Sequence, residues 1–240
     1  MNFVIPMAGR GERFKKAGFE LPKMLIESNG KTLLEWSVDS LPLELCTNLI
    51  FIGLKEHKIK FNLENIIIKK YAKYNPQFIW LDDVTRGQAE TVLMAEHLCD
   101  FRTDLLVFNI DTMFSSSSLK EILLDSSFDG ILGAFNSNEA RFSYAKLNNS
   151  GIVTETAEKH VISNYALTGL YHFKSCNDFF EIAKQHIEKD ILSAGEFYIA
   201  PMYNELINRG GKFTVNLCDL IWILGTPEEL SNFNKKYSGN

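Results

Sequence analysis

The stretch NFVIPMAGRGERF at residues 2–14, followed by LPK at residues 21–23, carries the strongest structural signal in this chain. Residues 3–5 are an apolar run that predicts a buried β-strand, and the small residues Ala8, Gly9 and Gly11 follow closely. Small or absent side chains in such a turn let backbone N–H groups approach a ligand. The stretch therefore predicts a strand that leads into an anion-binding loop.

Two cationic side chains flank a short segment after this loop. Arg13 precedes the segment and Lys23 follows Pro22, which ends it, so both charges can converge on the anion that the loop amides hold. A triphosphate would suit such a site. The competing interpretation is a plain tight turn, because a strand followed by glycine is common in α/β proteins.

Two stricter phosphate-binding motifs do not match. A dinucleotide-binding fingerprint on the loop at residues 9–11 needs a third small residue where Phe14 stands. A Walker motif ending at residues 30–32 needs a glycine where Leu25 stands, so this triplet instead predicts the start of an amphipathic helix over residues 33–41.

The order of apolar runs predicts an α/β fold with a Rossmann-like, mostly parallel sheet and helices on both faces. Candidate strands lie at residues 3–5, 49–52, 77–80, 105–108 and 130–135, and helical patterns between them are clearest at residues 33–41 and 89–98. In such sheets ligands bind beyond the carboxyl ends of the strands. We therefore expect the turn from Asn109 to Asp111 to meet the glycine loop.

The later part of the chain has a different pattern. Strands separated by short turns are predicted at residues 143–147, 151–155 and 165–173, which indicates a small β subregion. Helices are predicted at residues 178–189, 196–208 and 227–236, and residues 237–240 are expected to fray. We interpret residues 1–240 as a single domain.

The composition of the chain limits the kinds of partner that it is expected to bind. The 240 residues are 45% hydrophobic, enough for a substantial core, and the net charge is −5. The lysine-rich residues 55–73 are interpreted as a solvated face rather than an RNA-binding surface, so we expect no nucleic-acid partner and no membrane partner. With no C-x-x-C pair, signal-peptide pattern or long apolar stretch, a cytoplasmic location without structural zinc is predicted. Assembly into a homo-oligomer is compatible with the sequence, although no motif predicts it.

Several motifs together give the chain a specific resemblance. VIPMAGRGERF and LPKMLIESNGKTLLEW resemble the opening of the nucleotidyltransferases that activate phosphorylated sugars and related small molecules. The likeness continues through the following segments: RGQAETVL at 86–93, FNIDTM at 108–113, SYAKL at 143–147, AEKH at 157–160, GEFYIAPMYNELI at 195–207 and LGTPEEL at 224–230. The resemblance implies transfer of a nucleoside monophosphate from a nucleoside triphosphate to a phosphorylated small-molecule acceptor, with release of pyrophosphate. It also implies that the single domain has a nucleotide-binding part at about 1–115 and an acceptor-binding part at about 116–240, with the small β subregion on the acceptor side.

The same resemblance implies roles on the nucleotide side. Ala8, Gly9 and Gly11 would approach the nucleotide, and Gln88 would contact its base or ribose; a polar residue at a helix N-terminus is the alternative for Gln88. Arg13 would hold the outgoing pyrophosphate, and Lys23 would neutralise charge around the α-phosphate.

Asp111 is the candidate metal ligand of the site. It follows the apolar residues 105–108, where a strand ends, and a carboxylate there can hold Mg²⁺ against triphosphate oxygens. A turn-forming aspartate is the alternative. Many sugar nucleotidyltransferases place a second acid two residues before the closing G-T step, where this chain has Ile223. Either Asp219 or another acid substitutes for it, or Asp111, phosphate oxygens and water suffice.

On the acceptor side, the pair Glu158 and Lys159 matches an E-K-P step, although His160 replaces the proline. The glutamate would contact the acceptor and the lysine its phosphate; an exposed charge pair is the alternative. Lys146 and Glu196 are further acceptor-binding candidates. Glu196 could instead favour the N-terminus of the helix predicted at residues 196–208 through the helix dipole.

The C-terminal motifs look closest to members from bacterial capsule loci. We therefore favour CTP as donor and phosphoglutamine or another capsule precursor as acceptor, with a sugar 1-phosphate as the alternative acceptor. A metal-dependent glycosyltransferase that uses a nucleotide sugar is a rival, although it would favour a D-x-D pair where this chain has Asn109-x-Asp111. A non-catalytic nucleotide-binding homologue is the third possibility, and Ile223 is the feature that favours it.

Overall fold

The computed structural model describes residues 1–237. The strands of this part of the chain are β1 (Asn2–Pro6), β2 (Glu27–Ser28), β3 (Lys31–Thr32), β4 (Asn48–Leu54), β5 (Gln77–Leu81), β6 (Leu105–Val107), β7 (Thr112–Ser115), β8 (Gly130–Asn136), β9 (Ser143–Leu147), β10 (Val153–Glu158), β11 (Tyr165–Phe173), β12 (Phe213–Leu217) and β13 (Leu220–Ile223). The helices are α1 (Glu12–Lys16), α2 (Leu33–Val38), α3 (Lys55–Phe61), α4 (Leu63–Tyr71), α5 (Gln88–Leu93), α6 (Leu119–Leu124), α7 (Cys176–Glu188), α8 (Tyr203–Asn208) and α9 (Pro227–Lys236).

A central sheet organises the fold. Four parallel strands stand in the order β5, β4, β1, β6, and the antiparallel strand β11 continues the sheet beyond β6. From β11 the sheet branches to the β9–β10 hairpin and to the parallel pair β8–β12. The predicted Rossmann-like α/β fold with a mostly parallel sheet is confirmed. Because the chain order reverses between β1 and β6, their carboxyl ends form the crevice where such sheets bind ligands.

Both faces of the sheet are covered, which explains why its central strands read as continuous apolar runs. On β1, Phe3 and Ile5 pack on one face with residues of α2, α4 and α6, whereas Val4 packs on the other with residues of α5, α7 and α8. All three side chains are fully buried. This packing holds the end of β1 rigidly beneath the glycine loop.

A two-stranded ribbon brings the C-terminal part of the chain to the same crevice. Strand β13 pairs antiparallel with β7, which directly follows Asp111, and the Leu224 amide donates a 2.7 Å hydrogen bond to the Asp111 carbonyl. Helix α9 then begins at Pro227, and the Thr226 hydroxyl caps it by accepting a hydrogen bond from the Glu229 amide.

Several element predictions need correction. The helix predicted at residues 196–208 is confined to a 3₁₀ turn at Ala200–Met202 and to α8, so Glu196 is not at a helix N-terminus. Its N–H instead bonds to Ser193 in an isolated β-bridge. Tyr237 packs against Trp36 and Phe233, contrary to the expected fraying, and residues 238–240 lie outside the described residues.

The lysine-rich residues 55–73 form α3, α4 and the turn after them. Lys58 pairs with Glu64 and Lys70 with Glu35, at 2.6 and 2.7 Å respectively. The central sheet contains strands from before and after residue 115, and the predicted division there into a nucleotide-binding and an acceptor-binding part stays a prediction.

Candidate active site

A cleft of about 420 Å³ opens at the carboxyl ends of β1 and β6. Its walls come from the glycine loop, from the loop before α5 and from the turn after β6. Among the residues that line it are seven of the predicted site residues: Ala8, Gly9, Gly11, Lys23, Gln88, Asp111 and Glu196. The fold thus gathers residues that are more than 180 positions apart in sequence into one cavity.

The glycine loop is shaped by one close approach and one open position. Gly11 has φ +64°, and a Cβ on it would lie 3.3 Å from Cβ of Lys23, so a side chain here would be strained and crowded. At Gly9 a Cβ would meet no atom within 4 Å, so its missing side chain leaves room in the cleft rather than in the protein core. Gly11 therefore sets the position of Lys23, and Gly9 leaves its backbone accessible.

Lys23 and Asp111 form the charged centre of the cleft. The Lys23 ammonium donates a 2.6 Å hydrogen bond to Oδ2 of Asp111, and only 15% of the lysine side chain is exposed. Lys23 opens a 3₁₀ turn at Lys23–Leu25, whose apolar residues Met24 and Leu25 are buried. The partial burial makes this pair stronger than a surface ion pair.

Arg13 faces a second cleft, of about 230 Å³, that adjoins the first. This cleft is also lined by Gly11, Lys23 and Gly225. The Arg13 side chain is exposed, whereas the neighbouring Arg10 pairs with Asp83 at 2.6 Å. Lys23 and Arg13 thus place two positive charges along one cleft, an arrangement that suits an extended anion such as a triphosphate.

Gln88 is held by a residue of the turn that was expected to meet the glycine loop, although the sequence analysis gave this residue no role of its own. Its side-chain amide donates a hydrogen bond to Oδ1 of Asn109, which also lines the cleft. Asn109 in turn lies against Gly169, where a Cβ would come within 2.1 Å of the asparagine amide. The Asn109-x-Asp111 pattern was a visible signal for Asn109, but nothing in the sequence linked it to Gln88.

The loop before α5 is joined to the segment that contains Glu196. Gly87 has φ +154°, and a Cβ on it would lie 2.4 Å from the Phe197 amide nitrogen. Two backbone hydrogen bonds complete this junction, from Ala89 N–H to the Phe197 carbonyl at 2.9 Å and from Phe197 N–H to the Arg86 carbonyl at 3.1 Å. Gln88, at the first position of α5, and Glu196 are consequently fixed relative to each other.

Glu158 and Lys159, which were predicted to bind the acceptor, lie at the end of β10. The Ser143 hydroxyl donates a hydrogen bond to Glu158, and burial raises the pKa of this carboxyl while that hydrogen bond opposes the shift. The negative charge of Glu196 also raises the pKa of Glu158, which indicates that the two acids share one region. Lys159 is exposed and donates a 2.6 Å hydrogen bond to the Tyr198 hydroxyl. Ser143 and Tyr198 are functional candidates that the sequence analysis missed.

Lys146 does not join this group. It lies on β9, three positions beyond Ser143, and side chains alternate between the two faces of a strand. Lys146 therefore points to the face opposite Ser143 and Glu158, about 10 Å further along the strand. It is exposed and is not among the residues that line the cleft. The predicted acceptor-binding role of Lys146 is not supported by this placement.

Comparison with known proteins identifies the class of enzyme to which this cleft belongs. A family model described as nucleotidyl transferase matches residues 3–237. The chain belongs to the nucleotidyl transferase family. The rival interpretation as a glycosyltransferase is therefore set aside.

Individual relatives agree with this assignment. The structure of a nucleoside-diphosphate-sugar pyrophosphorylase from Vibrio cholerae RC9 is similar with a TM-score of 0.85 and 33% identity, covering 98% of this chain and 100% of that one. The inositol-1-phosphate CTP transferase from T. maritima shares the fold, with a TM-score of 0.76 and 14% identity over 100% of this chain and 98% of that one. The bifunctional protein GlmU of Methanococcus maripaludis is 23% identical over 99% of this chain and 54% of its own length, so this chain spans about half of that relative.

Nucleotidyl transferases of this kind generally use a divalent metal ion, and one residue of this cleft together with one residue behind Gly225 of the adjoining cleft fits such an ion. Asp111 offers a carboxylate at the exit of β6, and Oε2 of Glu229 is a buried carboxylate oxygen without a hydrogen-bond partner among residues 1–237. Mg²⁺ needs only one or two carboxylates besides phosphate oxygens and water. Accordingly, the absence of any group of three acidic, histidine or cysteine ligands within residues 1–237 is compatible with Mg²⁺.

No helix in the described part of the chain is long and apolar enough to span a membrane.

Proposed function

We propose that this nucleotidyl transferase moves a cytidylyl group from CTP to a phosphorylated small-molecule acceptor and releases pyrophosphate. The observation that carries the proposal is the Lys23–Asp111 pair inside a cleft at the carboxyl ends of β1 and β6. A partly buried cation beside a carboxylate can neutralise the phosphates and can also hold the metal ion that accompanies them.

This reaction requires the protein mainly to position the two substrates and to neutralise the charge of their phosphates. An oxygen of the acceptor phosphate attacks the α-phosphorus of the nucleotide and forms the new P–O bond. The bond from the α-phosphorus to the oxygen bridging to the β-phosphate breaks, and pyrophosphate leaves with that electron pair. Lys23 neutralises the charge around the α-phosphorus, and Arg13, on the adjoining cleft, binds the departing pyrophosphate. Asp111 would hold Mg²⁺, which supplies Lewis-acid charge stabilisation when it is bound.

The acceptor binds, in this proposal, towards Glu158, Lys159 and Glu196. The Lys159 ammonium lies at an exposed turn and donates one hydrogen bond to the Tyr198 hydroxyl. Its other N–H groups would bind the acceptor phosphate. The half-buried Glu158 next to Lys159 in sequence would accept hydrogen bonds from donor groups of the acceptor.

The choice of CTP and phosphoglutamine rests on the likeness of GEFYIAPMYNELI and LGTPEEL to capsule-locus cytidylyltransferases. A sugar 1-phosphate is the second candidate acceptor. It is favoured by the 33% identity to the Vibrio cholerae pyrophosphorylase, whose name refers to nucleoside-diphosphate sugars.

Pyrophosphate release tests both candidates in a single matrix. The protein is incubated with Mg²⁺, with each of CTP, UTP, GTP, ATP and dTTP, and with phosphoglutamine, phosphocholine or glucose 1-phosphate. We expect the highest rate with CTP and phosphoglutamine. A highest rate with glucose 1-phosphate and UTP or dTTP would support the second candidate, and no release with any pair would overturn the transferase proposal.

A further inference from the structure

The position of the second acid in many sugar nucleotidyltransferases is occupied here by an apolar side chain. Ile223 packs against a cluster that contains Phe135, Tyr144 and Ala166, so it faces an apolar environment. Asp219 cannot take its place, because it lies before β13 at the end of the strand opposite Ile223, roughly 13 Å away at about 3.3 Å per residue. There its carboxylate accepts a 2.7 Å hydrogen bond from the Ser117 amide.

Glu229 presents a carboxylate that its surroundings leave half satisfied. Oε1 accepts a hydrogen bond from Arg141, whereas Oε2 is buried and has no partner among residues 1–237. The side chain is only 17% exposed. A buried carboxylate oxygen without a donor is costly, which calls for a ligand to explain it.

The unsatisfied oxygen points towards the metal candidate across a glycine. A Cβ built on Gly225 would lie 3.3 Å from Oε2 of Glu229 and 3.6 Å from Oδ2 of Asp111. The two carboxylates therefore border one space, of about the size of a methyl group, that the missing side chain leaves open. Gly225 also lines the cleft that Arg13 faces, so this space adjoins the path assigned to the pyrophosphate.

The local structure fixes Glu229 in this orientation. Its backbone amide is held by the Thr226 cap, and Arg141, which also pairs with Glu139 at 2.8 Å, holds Oε1. The segment before it is fastened to the Asp111 carbonyl through the Leu224 amide. Both carboxylates thus belong to one connected unit.

We propose that Glu229 supplies the second carboxylate for the divalent metal ion of this enzyme, in the role that an acid at position 223 has in many relatives. Since Mg²⁺ keeps several waters, an oxygen beyond direct contact still joins its coordination through one of them. Lys23 donates its hydrogen bond to the same Oδ2 of Asp111 that borders this space, so the ion binds together with the anionic nucleotide, whose charge offsets that of the lysine. The inference rests on the proposed use of a nucleoside triphosphate, but not on the identity of the acceptor.

Metal binding rather than turnover tests this assignment. Free Mn²⁺ is measured by its electron paramagnetic resonance signal during titration of the protein saturated with a non-hydrolysable CTP analogue. We expect Glu229→Gln to weaken Mn²⁺ binding at least about tenfold. The affinity for the analogue without metal should stay within about twofold of the unmodified protein.

Two control variants separate a ligand role from a structural one. Arg141→Met removes the ion pair but keeps the carboxylate, and Glu139→Gln removes the other partner of Arg141. Glu139→Gln should bind Mn²⁺ within about twofold of the unmodified protein, whereas Arg141→Met, which loses the group that orients Glu229, should bind it less tightly than the unmodified protein but more tightly than Glu229→Gln. An equal loss in Arg141→Met and Glu229→Gln would overturn the proposal, because Glu229 would then act only through Arg141.

The remaining outcomes are also decisive. Unchanged Mn²⁺ affinity in a Glu229→Gln protein with a normal urea midpoint would overturn the proposal. If Glu229→Gln lowers that midpoint, the ratio of its Mn²⁺ affinities with and without the CTP analogue still decides, and an unchanged ratio counts against the proposal. Failure of the unmodified protein to bind the analogue at all would instead refute the proposed donor, which makes the two failures distinguishable.

Discussion

The Lys23 ammonium and Oδ2 of Asp111 lie 2.6 Å apart, which joins the turn after the glycine loop to the end of β6. The lysine comes from the N-terminal motif and the aspartate from the turn between β6 and β7, 88 positions later in the chain. Because the lysine side chain is 15% and the aspartate side chain 32% exposed, water screens the pair only partly. A bound nucleotide would therefore meet a preorganised charge pair rather than two mobile side chains.

Replacing Lys23 should remove transition-state stabilisation more than ground-state binding. We expect Lys23→Ala to lower the turnover number at least about a hundredfold, because a charge beside the α-phosphorus acts most strongly when negative charge develops there. Steady-state pyrophosphate release measures this effect. Lys55→Ala is the matched control, since Lys55 also pairs with an aspartate, at 2.7 Å, but with 50% of its side chain exposed. Equal losses in both variants would show that Lys23 has no special role.

The two lysines proposed for the acceptor site should behave differently. We expect Lys159→Ala to raise the KM for the acceptor about tenfold or more, because a charge-assisted hydrogen bond to the phosphate is lost. Lys146→Ala should change it less than about twofold, since Lys146 lies on the opposite face of β9. Initial rates at varied acceptor and saturating nucleotide give both values. A reversed order would contradict the placement of the acceptor.

The half-buried Glu158 should make the free energy of unfolding depend on pH. Burial raises its pKa in the folded protein, so folding favours the protonated form. Its contribution to stability is then fully present below the unfolded pKa of about 4.3 and is lost as the pH rises through the folded value. Relative to the wild type, Glu158→Gln should be more stable at pH 7 than at pH 4, because the amide keeps an acceptor for Ser143 without the charge. Urea unfolding across this range measures the difference, and a constant difference would contradict the prediction.

Much of the nucleotide half could be predicted because its signals are local. The apolar run at β1 and the glycine loop after it depend on neighbouring residues, and the structure places both as predicted. The prediction of a helix that begins at Glu196 was wrong because contacts between distant segments, and not the local pattern, decide the structure there. Residues 196–199 match a helical pattern, but Phe197 bonds to the loop at Gly87 instead, through contacts between distant segments.

The missed site residues share a physical cause. Asn109 holds Gln88, Ser143 holds Glu158, and Glu229 faces Asp111 across Gly225. In each pair the two residues belong to different segments that come together only in the folded protein. Their separation along the sequence therefore does not predict the contact. Lys146 is the opposite case, because it belongs to a matching motif and yet points to the other face of its strand, so its acceptor-binding role stays a prediction.

Two glycines allow the roles of backbone shape and ligand space to be separated. Gly87→Ala should destabilise the protein by about 2 kcal/mol or more, since its Cβ would lie 2.4 Å from the Phe197 amide nitrogen at a φ of +154°. Gly9→Ala should change the free energy of unfolding by less than about 0.5 kcal/mol, because no atom lies within 4 Å of the added Cβ. Urea midpoints give both values.

Nucleotide binding should then reveal the function of Gly9. Its added methyl group would enter the cleft where the loop backbone faces the phosphates, so we expect Gly9→Ala to weaken binding of a non-hydrolysable CTP analogue about tenfold at unchanged stability. Isothermal titration calorimetry measures the affinity. Normal affinity would mean that the phosphates do not approach this loop, and that the anion site lies nearer Lys23 and Arg13. A loss confined to Gly9→Ala, with stability retained, would assign the loop at Gly9 to the ligand and not to the fold.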